Sequence, residues 1–376
     1  MSSSIHPLYI NPNARSCNPQ AGSPRPLRIR QFHQSLPSYS PSPLVPLSNL
    51  AKSLGVKGIF IKDESSRFGL PSFKILGASW GTFRALVDFL QFPLEAALQE
   101  LANAAQAKSI KLFAATDGNH GRAVARMAKL LGIHSQIYVP ECLGQYTRDL
   151  IASEEGCTVI VVDGDYDMAV HTANEQAKRC PNGILIQDTS FTGYETIPAW
   201  IVEGYSTMLE EIDSQLAHQS LTPTLVITPV GVGSLAHAVV SHCKAADPPV
   251  SVLTVEPDTA ACLHTSLIAG KMTPFKTTGT IMNGLDCGTV SLTAWPTLRD
   301  GVNASTTVSD LDSHRAVEDL ASQGIHLGPC GAAGLAALQR IAADNPGCLG
   351  LGPDCVVVIL GTEGTRPYPV PIPVDN

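Results

Sequence analysis

Short apolar runs recur along this chain at residues 58–62, 110–115, 136–139, 158–162, 183–186, 224–228, 250–255 and 355–360, and their alternation with helical patterns constrains the fold more than any other feature. Helical periodicity fills residues 121–131, 147–155 and 168–179 between them. Strands that alternate with helices build parallel sheets with helices on their faces. The chain has 376 residues, more than one hydrophobic core comfortably serves, so two such sheets with a cleft between them are expected.

The balance of residue types excludes several classes of function. Hydrophobic residues make up 44% and charged residues 15%, which suits a well-buried α/β enzyme. The formal net charge of -8 argues against a nucleic-acid or anionic-membrane surface. Ten cysteines are scattered without a Cys-x-x-Cys pair, so neither a disulfide framework nor a zinc site is signalled and no metal is expected. No targeting segment or membrane-length apolar run stands out, and a cytoplasmic location with reduced thiols is the expectation. The triplet Asn303-Ala304-Ser305 then carries no glycosylation meaning. Residues 11–48 carry many prolines and read as an extended arm, followed by a short helix that Gly55 closes.

Chemistry-bearing residues gather at the turns between strands and helices. After the run at 58–62 comes Asp63-Glu64-Ser65-Ser66-Arg67-Phe68-Gly69-Leu70-Pro71-Ser72-Phe73-Lys74, a turn that enters a helix near Lys74. A lysine among small and apolar neighbours can become a nucleophilic amine and form a Schiff base; an ordinary first-turn surface lysine is the plainer alternative. The loop Thr116-Asp117-Gly118-Asn119-His120-Gly121 also joins a strand to a helix, where ligands of α/β sheets sit. There Asp117 and Asn119 also fit simple helix caps, and His120 reads as structural. A third loop, Pro229-Val230-Gly231-Val232-Gly233-Ser234-Leu235-Ala236, offers free backbone N–H groups to an anion. With Glu256 further on, it also matches part of a dinucleotide fingerprint, which keeps an NAD-dependent oxidoreductase in view. Cys330 opens a helix of small residues, where a buried small hydrophobe is the bland reading.

In that order, the Lys74 turn, Gly118-Asn119-His120-Gly121, Gly231 to Ser234 and Cys330 resemble the fold-type II pyridoxal-phosphate enzymes, the tryptophan synthase β-like superfamily. Further motifs narrow the resemblance to diaminopropionate ammonia-lyases: Lys62 to Leu70, Ala115 to Arg122, Gln187-Asp188-Thr189, Gly193-Tyr194 and Thr280 to Gly288. It runs from about Pro41 to Gly364. The resemblance implies two domains, each with a twisted, mainly parallel sheet flanked by helices, and an active site in the cleft between them. Residues 1–66 and 196–376 would form the large phosphate-binding domain, and 67–195 the small domain with the lysine.

The same resemblance implies roles and a reaction. Lys74, next to Phe73, would hold pyridoxal 5'-phosphate as a Schiff base. Asn119 would face its phenolic oxygen, Gly231, Val232, Gly233, Ser234 and Leu235 its phosphate, and Cys330 its ring nitrogen. A thiol there leaves the ring nitrogen without a full counter-charge. Asp117 and Asp188 occupy the positions of two bases, one for each enantiomer of 2,3-diaminopropionate, from which ammonia is eliminated to give pyruvate. Desolvation that raises the pKa of an aspartate would help it act as base or acid. Ser65, Arg67, Thr116 and His120 are candidates on the substrate side. A serine or threonine dehydratase, another lyase acting on β-substituted alanines, and a binding module that has lost turnover are the alternatives. Two departures stand out: Thr365-Arg366 replaces an acidic segment of the relatives, and Cys330 stands where serine is commoner. Relatives are commonly homodimers, and a homodimer is expected.

Overall fold

The structure, a computed structural model, describes residues 8–14, 27–116, 118–154, 156–344, 347 and 350–372. Its residues divide into two units. The first takes Ser40–Phe73 and Ser206–Asn376 with the N-terminal residues through Leu27, and the second takes Arg28–Tyr39 and Lys74–Tyr205. The changeover therefore falls between Phe73 and Lys74.

In the first unit a seven-stranded sheet has the order Tyr9–Ile10, Ala304–Val308, Ser251–Pro257, Leu225–Pro229, Val356–Gly361, Gly58–Asp63 and Leu44–Pro46. Its inner pairings are parallel, and the two short edge strands pair antiparallel. Parallel strands are covered on both faces and so read as continuous apolar runs, which is why their residues are buried without alternation. Ile59, Ile61, Ile227, Leu253, Val357 and Ile359 form the centre of the core with Ala332, Ala333 and Ala336 from the helix Pro329–Asp344. Burying each large aliphatic side chain contributes about 1.5–3 kcal/mol. Register pairs Ile359 with Ile227 and Gly361 with Asp63. The loops that follow these strands thus leave the same carboxyl edge of the sheet.

In the second unit a four-stranded parallel sheet has the order Cys157–Val162, His134–Pro140, Lys111–Ala115 and Gly183–Leu185. Helices Lys74–Leu90, Asn119–Leu131 and Tyr166–Arg179 accompany it. The outer strand Cys157–Val162 keeps several side chains half-buried or exposed, as an edge allows.

The sheets and the helix Ser48–Leu54 closed by left-handed Gly55 agree with the sequence expectation. The proline-rich arm does not stay extended throughout, because Leu27–Ser35 is a helix. Between Pro26 and Pro37 the chain has no proline, and Ile29, Phe32, His33 and Leu36 recur at helical spacing; all four are buried. Among the described residues no helix is long and apolar enough to cross a membrane.

Candidate active site

The second unit assembles its reactive side chains from two neighbouring strands and one helix. Lys74 begins the helix Lys74–Leu90, half-buried, and its Nζ donates to Oδ2 of Asp188. Asp188 follows the strand Gly183–Leu185, which pairs with Lys111–Ala115, whose own end leads to His120. The Nδ1 atom of His120 lies 3.9 Å from the same carboxylate oxygen. Nε2 of His120 is 2.8 Å from the carbonyl of Ile186; a carbonyl only accepts, so Nε2 carries hydrogen and the neutral ring turns its Nδ1 lone pair toward Asp188. Nδ1 is buried and has no hydrogen-bond partner among the described residues.

Burial pushes the carboxyl of Asp188 up, but the charge of the Lys74 ammonium and its hydrogen bond outweigh it and hold the group at about 2. This corrects the expectation of a raised aspartate: with the Lys74 ammonium beside it Asp188 is a carboxylate, and withdrawal of that charge would leave burial to raise its pKa. Burial is likewise the main cause that depresses His120. Gln187 and Tyr194 hold the Asp188 loop. Gln187 accepts from the amide of Ala115 at 2.9 Å and donates to the Tyr166 hydroxyl at 2.7 Å. The Tyr194 hydroxyl accepts from the Gln187 amide at 2.9 Å and donates to the Leu185 carbonyl at 2.7 Å. Both lay within motifs quoted for the family resemblance, but nothing in local spacing reveals their partners.

Thr116 serves its own loop, since its Oγ1 accepts from the amides of Gly118 and Gly121 at 2.8 and 2.9 Å. Asn119 starts the helix Asn119–Leu131, half-buried. Asp117, the second expected base, lies outside the described residues.

The first unit contributes the anion loop. Gly231 to Gly233 follow the strand Leu225–Pro229 and lead into the helix Ser234–Ala245. The backbone N–H groups of Gly231 through Ala236 have no acceptor among the described residues. Two glycines are required there. A Cβ on Gly231 would stand 2.9 Å from the Gly284 carbonyl and 3.2 Å from Cys287 Sγ, and Gly233 has φ +94°. A run of free amides at a helix start, with backbone packed this closely, suits a phosphate.

Cys330, buried at the start of Pro329–Asp344, has its amide 3.2 Å from Oε1 of Glu363. Burial pushes its thiol well above the usual range. The Thr280–Gly288 motif is fixed by Asp310, whose carboxylate accepts from Thr280 Oγ1 and, at 3.1 Å, from the Ile281 amide.

Arg67 is not on a substrate face. It is 1% exposed and its guanidinium is enclosed by acceptors: Glu64 at 2.6 and 2.8 Å, Glu211 at 2.7 and 2.8 Å, Ser42 Oγ at 2.8 Å and the Ser40 carbonyl at 3.2 Å. Lys62 completes the cluster, with Nζ 2.8 Å from Glu211 and from the Ser42 carbonyl. Ser65, half-buried, takes part in the turn, its amide donating to Asp63 at 2.9 Å. The turn is tied to the Glu363 loop by Glu64 N to Gly361 O at 2.9 Å and Gly364 N to Pro71 O at 2.8 Å. Glu256 does not serve a ribose. It is buried, and its oxygens accept from the amides of Leu263 and His264 at 2.7 and 2.6 Å, capping the helix Cys262–Ala269.

The second unit thus offers an amine beside a carboxylate, and the first, taken by itself, offers a run of free amides suited to a phosphate and a buried thiol; each of these suits a part of pyridoxal phosphate. Among the described residues no group of three or more His, Cys, Asp or Glu could hold a metal ion. The family described as pyridoxal-phosphate dependent enzyme matches residues 36–361. A diaminopropionate ammonia-lyase of Salmonella typhimurium is 38% identical over 292 residues, covering 75% of this chain and 72% of the relative. That of Escherichia coli K12 is 34% identical over 350 residues, covering 89% and 87%. The crystal structure of diaminopropionate ammonia lyase from Escherichia coli in complex with an aminoacrylate-PLP azomethine reaction intermediate superposes with a TM-score of 0.84 at 32% identity, covering 95% of this chain and 93% of that one. On the sequence match, the fold and the fit of the donor set, this chain belongs to the pyridoxal-phosphate dependent enzyme family, and the diaminopropionate ammonia-lyases are its relatives within it.

Proposed function

We propose that this protein eliminates ammonia from 2,3-diaminopropionate to give pyruvate and ammonia, with pyridoxal 5'-phosphate as cofactor. The observation that carries the reading is the contact of the Lys74 amine with the buried Asp188 carboxylate, backed by the neutral His120. In this reading Lys74 holds the cofactor's aldehyde carbon, the amides of Gly231 to Leu235 its phosphate, Asn119 its phenolic oxygen and Cys330 its ring nitrogen. The bound cofactor supplies an electron-withdrawing ring conjugated with the substrate's Cα, which makes the Cα proton acidic and lets the β-amine depart.

The protein must then handle protons. The enantiomers turn the Cα proton to opposite faces, so one carboxylate cannot serve both equally. Asp188 takes it from one face and Asp117 from the other. Withdrawal of the lysine's charge removes the nearest cation from Asp188; burial then favours its protonated form, which suits it to receive a proton and pass one to the leaving amine. The idle Nδ1 of His120 offers the next acceptor. The same reading takes the protein to be a cytoplasmic homodimer, which light scattering on the purified protein and fractionation of cells test.

Pyruvate release from D- and L-diaminopropionate, compared with D- and L-serine and threonine, tests the reaction. Both diaminopropionate enantiomers are expected to be preferred, Lys74→Ala to abolish turnover, and Asp188→Asn to impair the two enantiomers unequally. Faster turnover of serine or threonine would make this a dehydratase, and equal near-wild-type rates in Asp188→Asn would remove the base assignment.

A further inference from the structure

Two charged side chains beside Cys330 have no part in the reading above. Glu363 follows the strand Val356–Gly361, is buried, and has Oε1 3.2 Å from the amide of Cys330. Its position is imposed by close packing, because a Cβ on Gly331 would stand 2.7 Å from its carbonyl. Arg366 lies three residues on, with Nε 3.4 Å from the same Oε1, one terminal nitrogen donating to the Ile281 carbonyl and the other 3.4 Å from the Pro367 carbonyl. Only a fifth of its side chain is exposed. The Glu363 carboxylate thus lies against Cys330, with the Arg366 guanidinium on the same oxygen. The acidic segment that the resemblance leads one to expect after Gly364 is replaced here by the residue that makes these contacts.

A thiol has one proton to donate. A bare carboxylate beside it competes for that proton and favours a protonated pyridine nitrogen nearby; a guanidinium on that carboxylate cancels both effects. We propose that Arg366 is a positioning residue that neutralises Glu363, leaves the Cys330 thiol proton to the cofactor's ring nitrogen, and thereby keeps that nitrogen unprotonated. The proposal rests on the reading that Cys330 faces the ring nitrogen. It deepens that reading with a consequence for specificity: an unprotonated ring stabilises carbanionic charge weakly, so the enzyme favours substrates whose β-group leaves at once over slow exchange of the Cα proton.

The test is nitrogen NMR of the holoenzyme loaded with ring-¹⁵N pyridoxal phosphate, with loading and borohydride fixation to Lys74 measured first. The wild-type signal is expected at the unprotonated position at neutral pH, and a protonated signal there overturns the proposal however the variants fold. In Arg366→Gln the apparent protonation midpoint is expected to rise by about one to three pH units, the effect of removing a close charge partner. Arg366→Lys should keep the wild-type position, and Glu363→Gln with Arg366→Gln should restore it. A signal in Arg366→Gln that stays at the wild-type midpoint sinks the proposal. Cys330→Ala separates the layers: if it moves the signal and Arg366→Gln does not, the cofactor reading stands and this inference falls. If neither moves it, or borohydride fixes no cofactor on Lys74, the reading beneath it falls as well.

Discussion

Replacing Arg67 with methionine should destabilise the first unit sharply and in a pH-dependent way. The substitution keeps most of the side-chain volume but removes the donors that bind Glu64 and Glu211, leaving Lys62 as one cation among two buried carboxylates. Burial pushes the Glu211 carboxyl up, yet hydrogen bonds and charge from Arg67, then Lys62, carry it down from 4.5 to about 2. That depression corresponds to about 3 kcal/mol. Since the folded pKa is the lower one, the contribution is present above pH 4.5 and is lost as pH falls toward about 2. Breaking a buried pair by removing one partner costs about 3–5 kcal/mol, so that range is expected for Arg67→Met at pH 7. The deficit should shrink as pH is lowered toward 4, because protonation relieves the carboxylates that the variant leaves uncompensated. Urea unfolding followed by circular dichroism at both pH values measures this. Adding Glu211→Leu should recover part of the loss, as expected for groups in one network. A loss below about 1 kcal/mol at pH 7, or one independent of pH, would refute the argument.

The anion loop and the Asp188 loop give two further tests. Gly231→Ala drives a methyl to within 2.9 Å of the Gly284 carbonyl, and backbone cannot yield cheaply; cofactor affinity should fall about tenfold or more while circular dichroism is unchanged, and wild-type affinity by fluorescence titration would count against the phosphate assignment. Tyr194→Phe strips the hydroxyl that joins Leu185 to Gln187. It should cost about 1–2 kcal/mol and lower kcat for the enantiomer that Asp188 serves more than for the other; a uniform fall in both would make the hydroxyl a matter of stability alone.

What the sequence disclosed and what it concealed follow from the range of the interactions. Buried parallel strands must be apolar along their length, so residues 225–229 and 356–361 declare themselves locally. The strand Ala304–Val308 does not, because Ser305, Thr306 and Thr307 read as a polar run although all are buried. The helix Leu27–Ser35 was hidden by the prolines that flank it. The turns around Lys74 and Gly231 were legible because each joins a strand to a helix with its own composition, whereas Cys330 opens a helix that follows another helix, Asp310–Ser322. Glu211 has no such signature: it lies in the helix Ser206–Ala217, far along the chain from the residues it binds. Without it Arg67 reads as a cation at a turn, free to meet a substrate. With it, Lys62, Glu64 and Arg67 become the clamp on a turn whose next tie is Pro71 to Gly364 and whose last residue precedes Lys74. The charged half of this stretch therefore serves to fix the turn itself, and the same tie brings in the loop that carries Glu363 and Arg366. This turn can define the neighbourhood of the Cys330 thiol because two parallel strands, Gly58–Asp63 and Val356–Gly361, end side by side.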